Sequence, residues 1–364
     1  MGQTPYIFDG HNDLPWAMRR LNGYDLDKAD LRTGVAELQT DIPRLRSGGV
    51  GAQFWSVFVP CSLTGDSAVT ATLEQIDFVT RMVRRYSDDF ALATTAADVE
   101  AAVSGGRIAS LIGIEGGHSI DGSLGALRMM HALGVRYMTL THNENVSWAD
   151  SATDAPVLGG LSEFGRDVVR EMNRIGMFVD LSHVSVDVMS DALGTTSAPA
   201  IFSHSSARAL CNISRNVPDD VLTRLPANGG VCMVTLVPMF TSQHVADWYD
   251  ECLRITEERG GDRRKFADVD PVTRERMPLA PSCTVEDVAD HVEHVRDVAG
   301  LDHVGVGSDY DGVMFHPEGM PDVACYPVLL DALRRRGWSE RELSMVAHGN
   351  VLRAMRDMEA ASSP

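Results

Sequence analysis

Eight short apolar runs, each followed by a polar or glycine-rich turn and then a helical pattern, constrain this chain more than any other feature. The strand candidates are Tyr6–Phe8, Gly51–Val59, Ile108–Ile114, Tyr137–Thr141, Met177–Leu181, Ala200–Ser203, Val231–Val237 and Val304–Gly307. Their nearly continuous apolar character fits strands buried on both faces, as in a parallel sheet. Between them, Leu161, Phe164, Val168, Met172 and Ile175 recur at helical spacing, and Gly176 supplies a stop. Thr284 with Asp287 and Ser339 with Glu342 read as capping pairs opening two later helices. Strand alternating with helix throughout predicts a (β/α)₈ TIM barrel, one domain over residues 1–364. A doubly wound open sheet is the alternative, but no Gly-x-Gly-x-x-Gly follows the first run.

Two segments break the repeat and read as solvated surface. Leu21–Gly48 is a long polar connection after the first strand. Ser242–Ser282 is a charged insert after the seventh, where barrel loops often cover an active site, so a lid is the second reading.

The formal net charge of −19 argues against nucleic acid or an anionic membrane as partner. Six cysteines stand far apart with no C-x-x-C pair, the pattern of free thiols in a reducing compartment. The first residues show no basic and apolar signal pattern, Tyr6 stands where a myristoylation signal wants Ser or Thr, and the last residues are polar. These features predict a cytoplasmic protein without a membrane anchor.

The polar residues at the ends of the runs carry the chemistry. In Asp9-Gly10-His11-Asn12-Asp13, alternation in an extended chain points His11 and Asp13 the same way, so both can reach one metal. Alone, that triplet is a weak signal. Glu115 follows a buried apolar run, where a carboxylate needs a partner: an arginine, a helix N-terminus, or metal. His142, His183 and His204 end three successive runs. One such histidine is more often a satisfied core residue than a ligand, but three converge on one barrel mouth. Asp309 follows the eighth run, and Arg215, shortly after the sixth, suits a bidentate grip on a carboxylate. The other histidines lack this placement; His291 and His294, a turn apart on a charged helix, read as surface. No H-E-x-x-H or Gly-x-Ser-x-Gly occurs.

These stretches, together with Gly113–Gly117, Asp180–Ser185, Ser203–Arg208, Gly307–Gly312 and Gly349-Asn350, resemble the membrane (renal) dipeptidases, M19-type metallopeptidases related to the amidohydrolases. The match spans nearly the whole chain in order. It implies a TIM barrel with two Zn²⁺: His11 and Asp13 holding one, His183 and His204 the other, Glu115 bridging both. It implies substrate binding by His142 and Arg215, and proton transfer by Asp309. Two zinc ions roughly 3.5–4 Å apart would hold a bridging water and bring its pKa toward ~7, supplying hydroxide for attack on the dipeptide carbonyl. His142 would stabilise the oxyanion, and Asp309 would pass the proton to the leaving amine. The resemblance further implies a homodimer and tolerance of a C-terminal D-residue. The signal peptide and anchor of the mammalian members have no counterpart here, and Leu236-Val237-Pro238 stands where those members carry an aromatic residue.

Two rivals remain. Lactonase or phosphotriesterase-type barrels often bridge their metals with a carbamylated lysine, but neither Lys28 nor Lys265, the only lysines, ends a strand. A scaffold protein that kept the barrel would have lost a ligand or Asp309, and none is missing.

Overall fold

The computed structural model describes residues 5–363. Eight parallel strands form a closed barrel: β1 (Ile7–Asn12), β2 (Val50–Phe58), β3 (Ile108–Glu115), β4 (Val135–Thr139), β5 (Phe178–Asp180), β6 (Ile201–Phe202), β7 (Val231–Val234) and β8 (Val304–Val306). The β2–β3 register runs from Ala52 opposite Ala109 to Phe58 opposite Glu115. Asp9 opposite Val306 closes the ring. A ninth strand, Phe90–Leu92, pairs only with the start of β3 outside the barrel. It was not expected from the sequence, because three residues are too few for a period to register.

Each strand is apolar on both faces for a structural reason. Phe8, Phe54, Leu111, Tyr137, Phe178 and Met233 pack together inside. Their neighbours Ile7, Trp55, Ile112 and Met138 pack outward beneath the helices. The final helix, Asn350–Ala361, lays Val351, Met355 and Met358 against the inner cluster, and Arg353 donates to the Gly229 carbonyl just before β7. It therefore stops the end of the barrel away from the strand C-termini.

The predicted caps are present. Gly176 ends the helix Glu163–Ile175 in the left-handed region, and at its start Ser162, not foreseen from the sequence, accepts from Gly165 N. Thr284 with Asp287 and Ser339 with Glu342 form capping boxes.

Three expectations are corrected. Leu21–Gly48 is not solvated surface: Leu26, Leu31, Leu38, Ile42 and Leu45 are buried in the main core, and Ile42–Ser47 is a helix. The apolar residues are spaced irregularly there, which hides them from a periodicity argument. The insert Ser242–Ser282 is a pair of helices, Gln243–Glu258 and Phe266–Arg276, with its own small core of Val245, Trp248, Cys252 and Val272. His291 is buried rather than exposed: its Nδ1 accepts from Ala207 N at 3.0 Å, and its Nε2 lies 3.2 Å from the Thr241 carbonyl.

Asp9 ties the two ends of the chain together. Its buried carboxylate accepts from Ser308 N and Oγ and from Tyr326 Oη, each at 2.7 Å, and from Gln53 Nε2 at 2.9 Å. No described helix is long and apolar enough to cross a membrane.

Candidate metal centre

The C-terminal ends of the strands bring His11, Asp13, Glu115, His142, His183, His204, Arg215 and Asp309 together, all largely buried. Glu115 is central. Its Oε1 lies 3.0 Å from His183 Nε2, 3.5 Å from His204 Nε2 and 3.7 Å from His142 Nε2; its Oε2 lies 3.6 Å from His11 Nε2 and accepts from Ser56 Oγ. On the far side, His11 Nε2 is 3.3 Å from Asp13 Oδ2. Three overlapping groups have ligand atoms close enough to share an ion: His11 with Glu115 and His204, Glu115 with His142 and His183, and His11 with Asp13 and Asp309.

Neighbouring residues orient these rings. His204 Nδ1 is 2.8 Å from Ser203 Oγ, which donates to Asp180 Oδ2. Asp180 also accepts from Thr139 Oγ1, Ser182 N and Ser203 N, so it holds the loops after β5 and β6 in one frame. His11 Nδ1 is 2.9 Å from Tyr137 Oη. Burial keeps that phenol protonated, so the Tyr137 oxygen can accept from Nδ1–H. In His204, held neutral by burial, this leaves the Nε2 lone pair facing Glu115, while in His11 it turns Nε2 toward the carboxylates. His183 and Asp309 have left-handed backbones, φ 66° and 67°, which an L side chain adopts at a cost of about 1–2 kcal/mol.

The electrostatics are those of a site built for a cation. Burial, reinforced by the Arg215 charge, holds His142, His183 and His204 well below the usual histidine range, so they offer neutral nitrogens. Burial opposes a charge on His11, yet Tyr137, Glu115 and Asp13 hold its pKa well above the ordinary value. Burial and the neighbouring carboxylates push Glu115 and Asp309 up. His183 Nε2 and His204 Nε2 face each other at 3.0 Å, and His11 Nε2 has no hydrogen-bond partner. Neutral imidazole nitrogens converging on carboxylates in a buried space match the donor set that zinc and similar divalent ions take. The residues therefore fit a metal.

Arg215 stands beside this group. The loop that carries it is pinned by Asn216, which donates to the Cys211 and Phe240 carbonyls and accepts from Ser206 N. The guanidinium lies 5.0 Å over the Phe240 ring and donates from Nη2 to the His204 carbonyl at 3.4 Å. Its Nε and Nη1 have no partner among the described residues. Burial lowers its pKa to about 10, so it remains charged at neutral pH.

Several residues at the mouth were not legible in the sequence. Phe58 lies 4.8 Å from the His142 ring, and Trp16 meets Phe58 edge-on. Phe266, from the second insert helix, is 5.9 Å from His142, and Arg264 beside it bonds Asp154. The insert thus reaches the mouth. Cys61 Sγ is 3.6 Å from His142 Nδ1. Position at a strand end could have flagged Phe58; nothing in the charged insert marks Phe266.

Residues 1–364 match the family model described as "Membrane dipeptidase (Peptidase family M19)". Dipeptidase 3 of Rattus norvegicus is 42% identical over 358 residues, which are 97% of this chain and 65% of that protein. Dipeptidase verJ of Clonostachys rogersoniana is 42% identical over 367 residues, 98% of this chain and 85% of that protein. The chain thus spans just under two thirds of the length of Dipeptidase 3. Among solved structures, the probable dipeptidase PvdM from Pseudomonas aeruginosa superposes with a TM-score of 0.85 at 22% identity, covering 98% of this chain and 96% of that one. A metallo peptidase from Rhodobacter sphaeroides, liganded with a phosphinate mimic of the dipeptide L-Ala-D-Ala, gives 0.80 at 24% identity, covering 98% and 100%. At such identities these two likenesses establish the fold alone.

Proposed function

The chain belongs to the membrane dipeptidase family, peptidase family M19, and from that premise we propose that it hydrolyses the peptide bond of dipeptides at a centre of two zinc ions. The observation that carries this reading is Glu115, whose two oxygens face His183 and His204 on one side and His11 on the other. His11 and Asp13 would hold one ion, His183 and His204 the second, with Glu115 shared. Metal ions bound there would polarise the scissile carbonyl and make water a competent nucleophile near neutral pH.

The protein's own residues account for the remaining steps. Arg215, a buried cation with two unused donors, grips the substrate's C-terminal carboxylate. A carboxylate held that deep restricts substrates to very short peptides. His142 faces the same space as Glu115 and donates to the carbonyl oxygen as negative charge develops on it. Asp309 takes the proton of the attacking water and delivers it to the leaving amine nitrogen as the C–N bond breaks. The relative that binds a mimic of L-Ala-D-Ala supports extending the substrate range to a C-terminal D-residue. The six free cysteines suit a reducing compartment, and we place the protein in the cytoplasm.

The test combines metal analysis with a panel of L,L and L,D dipeptides, run on the wild type and Asp309→Asn. Wild type should carry zinc and cleave dipeptides, while the variant keeps its zinc and loses turnover. A zinc-loaded, inactive wild type would overturn the reading.

A further inference from the structure

We propose that Gln39 is a positioning residue for Asp309, acting through the loop that follows β8. This rests on the reading above that Asp309 moves the proton. Every polar point of Gln39 is directed at that loop and its continuation. Its backbone N donates to Asp311 Oδ1 at 2.8 Å, and its side-chain Oε1 accepts from Asp311 N at 2.5 Å. Its Nε2 donates to the Val313 carbonyl at 3.2 Å, its own carbonyl accepts from Val323 N, and His316 Nε2 lies 2.8 Å from Oε1.

The loop needs such a clamp. Asp309 and Asp311 both have φ near +66°, a conformation that L side chains disfavour. The turn between them is closed by Gly312 N donating to the Asp309 carbonyl. On the barrel side, Asp309 N donates to the His11 carbonyl and Asp13 N to the Tyr310 carbonyl, so the loop lies along the end of β1. The next residue in the strap, Thr40, accepts from Asn12 Nδ2 at 2.8 Å. Gln39-Thr40 therefore holds the two segments that present Asp309 and the His11/Asp13 pair. If Gln39 lets go, Asp311 N loses the one acceptor it has among the described residues, and the turn is free to relax away from the left-handed backbone that aims Asp309.

The experiment compares Gln39→Met, similar in length but unable to form these side-chain bonds, with Leu38→Ala, which removes a buried apolar neighbour and keeps them. Gln39→Met should lose at least about ten-fold in kcat, with KM changed by less than about two-fold and zinc content unchanged. Peptides covering residues 308–314 should exchange amide hydrogens faster than in wild type. Leu38→Ala should lower Tm but keep kcat. The proposal is overturned if Gln39→Met keeps its kcat, if its loss merely follows lost zinc, if Leu38→Ala loses kcat equally, or if exchange in 308–314 is unchanged. Hydrogen exchange reads the clamp without any substrate, so inactivity of the wild type would sink the dipeptidase reading and leave the clamp's test standing.

Discussion

Nε2 of His183 stands 3.0 Å from Nε2 of His204, and Oε1 of Glu115 lies 3.0 Å and 3.5 Å from the same two atoms. Both rings are held neutral by burial, so the pair gains little from a shared proton and much from a shared cation. Stripping metal with a chelator should lower Tm, and zinc should restore it. At free metal 100-fold above its dissociation constant the stabilisation is about 2.7 kcal/mol. His204→Ala should hold less zinc than wild type; equal metal content in the two would contradict the assignment.

A side chain at Gly312 would press directly on the site. A Cβ there would sit 2.3 Å from Asp309 Oδ1 and 2.4 Å from Asp13 Oδ2. Both obstacles are carboxylate tips, so Gly312→Ala should fold and displace them instead. The expected cost is about 100-fold in kcat with a modest change in Tm, read from steady-state kinetics beside thermal unfolding.

Arg215→Met should raise KM for dipeptides strongly, lowering kcat/KM by a factor on the order of 100 to 1,000, because a buried carboxylate would lose its partner. Arg215→Lys keeps the charge but not the paired donors, and should recover only part of that loss. A dipeptide amide, lacking the carboxylate, should be hydrolysed equally by all three enzymes; a KM for the free acid that ignores Arg215→Met would remove the residue from the binding site.

His291 gives the fold a dependence on acid. Burial lowers its pKa to about 4 from the ordinary histidine value of about 6.5, so the folded protein takes up its proton later than the unfolded chain. Stability from the neutral ring is complete above pH 6.5 and is lost as pH falls toward 4. The loss amounts to about 3 kcal/mol for a shift of that size. His291→Gln should be less stable than wild type at pH 7.5 and lose less between pH 6.5 and 4 in denaturant titrations. Parallel curves would assign the acid sensitivity elsewhere.

The barrel and most of its site were legible because they follow from repeated, local signals. A strand buried on both faces must be apolar throughout, and a histidine or carboxylate just past its end must face the mouth. His11, Glu115 and His204 were found that way. What stayed hidden depends on partners distant in the chain. Gln39 is an ordinary polar residue until Asp311 is beside it. Asp180 and Tyr137 read as parts of strands, though one braces the His204 loop and the other fixes the His11 ring. His291 sits among charged neighbours on its helix, and only its position under Ala207 and Thr241 shows that it faces inward.

The closure around Asp9 should tie folding of this protein to near-completion of its chain. The five side chains proposed as ligands all lie in the first 204 residues, but Ser308 and Tyr326, which satisfy the Asp9 carboxylate beside His11, are synthesised well after them. Until they emerge from the ribosome, β1 carries a carboxylate that cannot be buried without a large penalty. A nascent chain should therefore remain unable to capture metal even when every ligand has been translated. A fragment ending shortly after His204 is expected to be unfolded by circular dichroism, and to become structured only when the remainder of the chain is supplied in trans.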